Sequence, residues 1–110
     1  MGITPQAISQ ALLAAPCIWV AEIQGVLAGF AMADADDGCV FAAFVRPEYE
    51  GQGLGRSLMA RAEAFLFEQH RTIWLETAEN SCASGFYLSL GWQLVAHLPE
   101  GDVRFEKNLI

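Results

Sequence analysis

The stretch VRPEYEGQGLGR, residues 45–56, decides how the rest of this chain is interpreted. An apolar run at residues 39–45 leads into it and predicts a buried strand. Three glycines at alternate positions, Gly51, Gly53 and Gly55, then separate that strand from a helix with a periodic apolar face. The first N–H groups of a helix have no partner within the helix, and the helix dipole adds partial positive charge there. We therefore expect this turn to hold the pyrophosphate of a nucleotide-type cofactor.

The composition limits the class of protein. The chain has 110 residues, which suits a single domain spanning residues 1–110. Asp and Glu outnumber Lys and Arg by 13 to 6, and the net charge of −7 argues against a nucleic-acid partner, which needs a basic surface. Hydrophobic residues make up 54% of the chain, and this surplus suggests a buried surface between two subunits of a homodimer.

Neither the apolar runs nor the N-terminus indicates a membrane protein or a secreted one. No apolar run approaches the roughly 20 residues that span a bilayer, and no basic region precedes an apolar segment at the start. The three cysteines, Cys17, Cys39 and Cys82, are an odd number without metal-type spacing. We expect them to be free, buried thiols, and the protein to be cytoplasmic with no membrane partner.

Hydrophobic periodicity predicts an α/β fold (α+β mixed sheet) with six to seven strands and about three helices. Thr4 and Pro5 resemble a helix start, so residues 1–16 are predicted to form a short helical arm. Gly29 lies inside a predicted strand and marks a bulge or a close approach of two backbones. The remaining strands are predicted at residues 18–23, 26–32, 39–45, 72–77, 92–98 and 103–109, with helices after the glycine turn and after residue 80.

The acidic turn at residues 34–38 raises the question of a metal site. Asp34, Asp36 and Asp37 precede Gly38, but the glycine comes one place too early for an EF-hand loop and the closing glutamate is absent. We therefore expect a solvated turn and no metal.

Two motifs together resemble the GNAT superfamily of acetyl-CoA-dependent N-acetyltransferases. The first is VxP at residues 45–47 followed by EGQGLG at 50–55, which is similar to the acetyl-CoA loop of the family. The second is NxxAxxFYxxxGW at residues 80–92, which is similar to its second cofactor segment. A helix and a strand separate the two motifs, as in the family, and the resemblance covers nearly the whole chain.

The resemblance implies a GNAT-like acyl-CoA N-acyltransferase fold and transfer of an acetyl group from acetyl-CoA, as co-substrate, to an amine acceptor. The acceptor would be a small molecule or a peptide, and its amine would attack the thioester directly. Tyr87 would be the catalytic residue, with its hydroxyl directed at the departing sulfur. A backbone N–H near Val45 would stabilise the oxyanion. The implied cofactor-binding residues are Phe44, Val45, Gly51, Gln52, Gly53, Leu54, Gly55, Arg56 and Asn80.

Two departures from the family pattern affect these expectations. Glu50 stands where the family usually has Arg or Gln, which weakens pyrophosphate binding unless Arg56 supplies the missing positive charge. In the family, the first strand and the first full helix normally form one wall of the acceptor site. In this chain they are missing or reduced to residues 1–16. Either the arm and a second subunit complete that wall, or the chain is a trimmed member.

Structural roles remain open for each candidate. Spacing alone makes Tyr87 a core aromatic, Asn80 a helix cap and the glycine triplet a tight turn. Glu76 is the best-placed carboxylate to accept the proton of the amine, His70 and His97 are weaker candidates, and water can serve instead. A non-catalytic acyl-CoA-binding or dimerisation module on the same scaffold is the alternative function.

Overall fold

The structure, a computed structural model, describes the backbone of residues 6–12, 17–79 and 82–109, and the side chains of residues 17–79 and 83–109. A seven-stranded sheet with strand order β1-β2-β3-β4-β5-β7-β6 forms its centre. All neighbouring strands are antiparallel except β4 and β5, so the sheet is mixed, as predicted. The strands are β1 Gln6–Leu12, β2 Cys17–Ile23, β3 Val26–Asp34, β4 Cys39–Val45, β5 Thr72–Ala78, β6 Gln93–His97 and β7 Asp102–Asn108, and the helices are α1 Leu54–Phe67 and α2 Cys82–Ser89.

The predicted helical arm is wrong over Gln6–Leu12, which form the edge strand β1. This strand pairs antiparallel with β2, from Gln6 opposite Ile23 to Leu12 opposite Cys17. A helix this short is marginal without packing, whereas the edge of β2 offers a partner to every second backbone group. The rest of the arm, residues 1–5 and 13–16, lies outside the described residues.

One face of the sheet packs against both helices and forms the core. Alternate residues of β2 are buried there, and the ring of Trp19 meets that of Phe65 edge-on at a centroid distance of 5.2 Å. The apolar stripe of α1 is buried as its spacing predicts. Cys17 and Cys39 are buried free thiols, as expected, and the side chain of Cys82 lies outside the described residues. Among the described residues, no helix combines the length and apolarity needed to cross a membrane.

The end of β4 lies unusually close to β3. Gly29 pairs with Val45, and a Cβ on Gly29 would stand 2.5 Å from the carbonyl oxygen of Phe44, so only glycine fits here. The sheet register also shifts beside Gly29, where β3 pairs with β2. The N–H of Arg46 then donates to the carbonyl of Ala28 at 2.8 Å and turns the chain out of the sheet. The close approach predicted at Gly29 is thus confirmed.

The sheet opens between β4 and β5. The two strands share one register pair, Cys39 with Trp74, and they diverge beyond it. This opening and the turn after β4 together position the site.

Candidate active site

A cavity of about 540 Å³ lies where β4 ends, between the glycine turn, the start of α1 and one face of α2. Its wall is mainly apolar, with ionisable side chains at the rim. The lining residues are Phe30, Ala43, Phe44, Val45, Pro47, Tyr49, Glu50, Gly51, Gly53, Leu54, Gly55, Arg56, Leu58, Met59, Ala83, Phe86 and Tyr87. The structure therefore brings the two sequence motifs together around one hollow.

The glycine turn supplies backbone rather than side chains. Gly51 has φ +82° and Gly53 has φ +83°, a region that L side chains rarely adopt. Gly53 caps α1, and the first helical bond runs from the N–H of Ser57 to the carbonyl of Gly53 at 3.0 Å. The N–H groups of residues 54–56 therefore lack an intrahelical acceptor and are available to an anion in the cavity.

Gly55 has a different role from the other two glycines. Its backbone is helical, and a Cβ built on it would lie 3.1 Å from Cζ of Phe86. Gly55 therefore lets α1 approach α2 closely, in addition to lining the cavity. Of the three alternating glycines, Gly51 and Gly53 are needed for the conformation of the turn, and Gly55 is needed for the packing of α1 against α2.

Charge at the rim of the turn is mixed. Glu50 and Arg56 both line the cavity and both are exposed. Arg46 is close to Glu48, with 3.8 Å between Nη1 and Oε2, at an exposed position where such a pair contributes little. Gln52 is exposed and is absent from the cavity lining.

Tyr87 closes the opposite end of the cavity and is 8% exposed. Its ring packs against those of Phe86, Trp92 and Phe105 at centroid distances of 5.5, 6.2 and 5.9 Å. Burial raises the pKa of the Tyr87 phenol because the phenolate would lose its hydration. The hydroxyl therefore stays protonated at neutral pH and can donate a hydrogen bond.

A polar cluster behind Tyr87 fixes Trp92. The indole Nε1 of Trp92 donates to Oε2 of Glu63 at 3.0 Å, and Nζ of Lys107 donates to Oε1 of Glu63 at 2.7 Å. Lys107 also donates to the carbonyl of Leu90 at 2.7 Å. The cluster ties α1, the end of α2 and β7 together, and it holds Trp92 edge-on to the Tyr87 ring.

A second, smaller cavity of about 190 Å³ occupies the gap between β4 and β5. Tyr87 and Ala43 line both cavities, so the two hollows meet beside the phenol ring. Glu76 is the carboxylate that lines the gap. The lining residues are Val40, Phe41, Ala42, Ala43, Leu75, Glu76, Thr77 and Tyr87.

The two histidines lie away from these cavities. Nε2 of His70 contacts the carbonyl of Ala35, at the turn between β3 and β4. Nδ1 of His97 is 3.4 Å from Oε2 of Glu79 at an exposed position. Neither histidine lines either hollow, so Glu76 is the one base candidate named from the sequence that borders the gap.

Most of the predicted site residues meet around the large cavity. Those that line it are Phe44, Val45, Gly51, Gly53, Leu54, Gly55, Arg56 and Tyr87. Asn80 lies outside the described residues, and Gln52 borders the turn without lining the cavity. The cavity is also lined by Phe30, Tyr49 and Met59, which were not predicted as site residues. A signal exists for Phe30, because it directly follows Gly29, the glycine at which a close approach of two backbones was predicted.

Comparisons with known proteins agree with this architecture. The family described as "Acetyltransferase (GNAT) domain" matches residues 14–94. No curated protein matches the sequence. The chain is similar to a solved protein from Pyrococcus horikoshii OT3, with 24% identity and a TM-score of 0.78, over 84% of this chain and 65% of that one.

Two further solved structures carry names. One is nourseothricin acetyltransferase, with 27% identity and a TM-score of 0.74, over 84% of this chain and 65% of that one. The other is the PaiA N-acetyltransferase of Thermoplasma acidophilum in complex with coenzyme A, with 20% identity and a TM-score of 0.73, over 86% of this chain and 61% of that one. This chain thus spans less than two thirds of the length of these three proteins. Because the family profile matches most of its residues, the chain belongs to the GNAT acetyltransferase family.

Proposed function

We propose that this protein transfers the acetyl group of acetyl-CoA to an amine by direct attack on the thioester. One observation carries the proposal: a long apolar cavity with a backbone anion site at one end meets a second opening beside a buried, protonated tyrosine at the other. A cofactor in the large cavity and an acceptor in the gap between β4 and β5 can therefore meet beside the Tyr87 phenol.

The residues of the large cavity fit acetyl-CoA. The apolar walls suit the pantetheine arm, and the free N–H groups of residues 54–56 suit its pyrophosphate. The turn at Gly51 and Gly53 leaves open space where a side chain would stand, because a Cβ added to either glycine would meet no atom within 4 Å. A relative with the same fold is described in complex with coenzyme A.

Each group of the chain has a definable task in this reaction. When bound, acetyl-CoA would supply the activated acetyl group: a C–N bond forms as the C–S bond breaks, one proton of the neutral amine ends on the departing thiol, and the other stays on the amide nitrogen. Tyr87 donates a hydrogen bond or a proton at the departing sulfur, which its raised pKa permits across the neutral range. A backbone N–H near Val45, at the strand end beside the gap, is our candidate for oxyanion stabilisation.

A second candidate is a non-catalytic acyl-CoA-binding or dimerisation module. Glu50 favours this alternative because it places a carboxylate at the rim of the proposed phosphate site. In either case we propose a cytoplasmic homodimer, supported by exposed apolar side chains such as Leu88, Leu94 and Val95. Sedimentation that shows a monomer at micromolar concentration would contradict the dimer.

Titration calorimetry with acetyl-CoA and CoA, followed by thiol release across an amine panel, tests the proposal. We expect binding of both ligands and amine-dependent thiol release. Binding without thiol release across the panel would favour the module. Absence of heat and of a thermal shift with either ligand would remove both functions.

A further inference from the structure

We propose that the acceptor is an amine that carries a second positive charge and no carboxylate, and that Glu76 selects it. This inference rests on the proposed function, since it names the substrate class of the same site. It is argued from the gap between β4 and β5, where the acceptor would enter, and from the charges around that gap.

The lining of the gap is one-sided in charge. Glu76 is the one acidic residue that lines the gap, and among the lining residues there is no Lys, Arg or His to balance it. The surface of the gap is mainly polar, and Thr77 and Tyr87 supply the side-chain hydroxyl groups of its lining. An acceptor with its own carboxylate would therefore meet repulsion in the gap, and a cation would meet attraction.

The carboxylate of Glu76 is available to a ligand. Arg104 stands opposite Glu76 in the register of β5 and β7. Its guanidinium lies 4.3 Å from the ring centroid of Trp74, and its Nε lies 3.4 Å from Oε2 of Glu106. Arg104 is therefore engaged elsewhere, and within the described part of the chain no cationic side chain comes within 4 Å of the Glu76 carboxylate.

The root of the gap is negative as well. Cys39 lies where β4 and β5 pair, and the pKa of its thiol is raised by burial first and then by the charges of Asp34 and Asp37, with a smaller effect of Glu76. Phe41 also lines the gap and is 49% exposed, so a cation bound there would have an aromatic side chain beside it. Acidic side chains thus lie near Cys39 and at Glu76, and Phe41 adds an exposed aromatic side chain to the gap.

The chemistry of the reaction explains why the acceptor needs a second charge. The attacking nitrogen must be neutral to form the C–N bond, so it cannot keep an ionic attraction to Glu76 at the moment of reaction. Only another ammonium group on the same molecule can hold that attraction throughout. Glu76 is then a specificity-determining residue rather than the general base.

Three amines of equal chain length test this with the wild-type protein and acetyl-CoA. They are 1,4-diaminobutane, butylamine and 4-aminobutanoate, which share one primary amine and differ in the charge of the other end. Thiol release should give the diamine a kcat/KM about tenfold above that of butylamine, with 4-aminobutanoate lowest. Because the carboxylate is exposed, raised salt should reduce the advantage of the diamine.

The variant Glu76→Gln should abolish the advantage of the diamine over butylamine, so that the two amines react with the same kcat/KM within about twofold. The matched control is Glu79→Gln, which removes the same charge at an exposed position that borders neither cavity and pairs with His97. It should keep the wild-type order of the three amines.

The other possible outcomes would contradict the role of Glu76, the substrate class or the proposed function, in that order. An equal loss with all three amines in Glu76→Gln would make Glu76 a base and not a selector. Equal rates with the diamine and 4-aminobutanoate, or acetyl-CoA binding without acceleration by any of the three amines, would overturn the substrate class but leave the cofactor site standing. Absence of both acetyl-CoA binding and thiol release would overturn the proposed function itself.

Discussion

The two ends of the large cavity are built in opposite ways. At the glycine turn, the chain offers exposed backbone, and at Gly51 and Gly53 an added Cβ would meet no atom within 4 Å. At the other end, the phenol of Tyr87 is buried among three aromatic rings and is held by side-chain packing. The turn is therefore sensitive to backbone conformation and to added charge, and the tyrosine end is sensitive to the identity of its side chains.

We therefore expect substitutions in the two regions to have different effects, on cofactor binding in one and on the rate of the reaction in the other. We expect changes in the turn to act on the affinity for acetyl-CoA, because the N–H groups there would hold the pyrophosphate. We expect changes at Tyr87 to act on turnover, because its hydroxyl would meet the reacting sulfur. Four substitutions test this division, and they are ordered by the size of the expected effect.

Gly53→Glu should weaken acetyl-CoA binding at least about hundredfold, because it adds a carboxylate beside the pyrophosphate and strains a residue with φ +83°. Calorimetric titration measures the loss, and a thermal melt checks that the fold persists. Gly101→Glu is the matched control, since Gly101 also has φ +83° with no atom within 4 Å of an added Cβ and lies outside the cavity. Unchanged affinity in Gly53→Glu would contradict the phosphate site.

Tyr87→Phe should lower kcat by about thirtyfold while the Kd for acetyl-CoA stays within about threefold, because only the donor to the sulfur is lost. Steady-state kinetics and calorimetry separate the two quantities. Tyr49→Phe removes the other phenol of the cavity, near the glycine turn, and should leave kcat within about twofold. Equal rates in Tyr87→Phe and wild type would make Tyr87 a core residue.

The pKa of Tyr87 gives a second readout of the same residue. Because burial raises the pKa of the folded phenol above its ordinary value near 10, the folded state keeps its proton when the unfolded state has lost it. The free energy of unfolding contributed by Tyr87 then falls as the pH rises above about 10. Urea unfolding at pH 9 and pH 11 should show a smaller loss in Tyr87→Phe than in wild type; equal losses would contradict the burial of the phenol.

Trp92→Phe should reduce the free energy of unfolding by about 1.5–2 kcal/mol, because Glu63 loses a buried hydrogen-bond donor. We expect a fall of a few-fold in kcat as well, since Trp92 packs against Tyr87. Trp74→Phe is the comparison variant, because its indole donates to the carbonyl of Asp37 at 2.9 Å, away from Tyr87. An equal fall in kcat in both variants would show that the cluster does not position the phenol.

Gly55→Ala should have the smallest effect, within about 1 kcal/mol of wild-type stability. Alanine gains helix propensity of about 1 kcal/mol, whereas its Cβ would press on Phe86 at 3.1 Å. Combining it with Phe86→Leu should relieve the contact and reveal the gain in propensity. Additive stabilities in that double-mutant cycle would show that the turn and the tyrosine end are not coupled through this contact.

The backbone-built end of the site was predictable because its signal is local. A buried strand, a proline, alternating glycines and an apolar helix follow one another in the sequence, and each constrains the chain at its own position. The same applies to the close approach at Gly29, because the absence of a Cβ there can be read directly from the sequence. The core face of α1 followed from periodicity alone.

The remaining features depend on contacts between distant parts of the chain. The strand at Gln6–Leu12 has a helix-like spacing of apolar residues, and only pairing with β2 makes it a strand. The packing role of Gly55 depends on Phe86, which comes 31 positions later in the sequence numbering. The ion pair of Glu63 and Lys107 likewise joins residues that are 44 positions apart in the sequence, and no local sequence pattern predicts it.

Hydrogen–deuterium exchange with and without CoA tests the central claim most directly, because it reports on backbone amides. The account predicts that CoA slows exchange of the amides at residues 51–56, while the edge strand β6, Gln93–His97, exchanges as before. Calorimetric evidence of CoA binding without protection of residues 51–56 would contradict it.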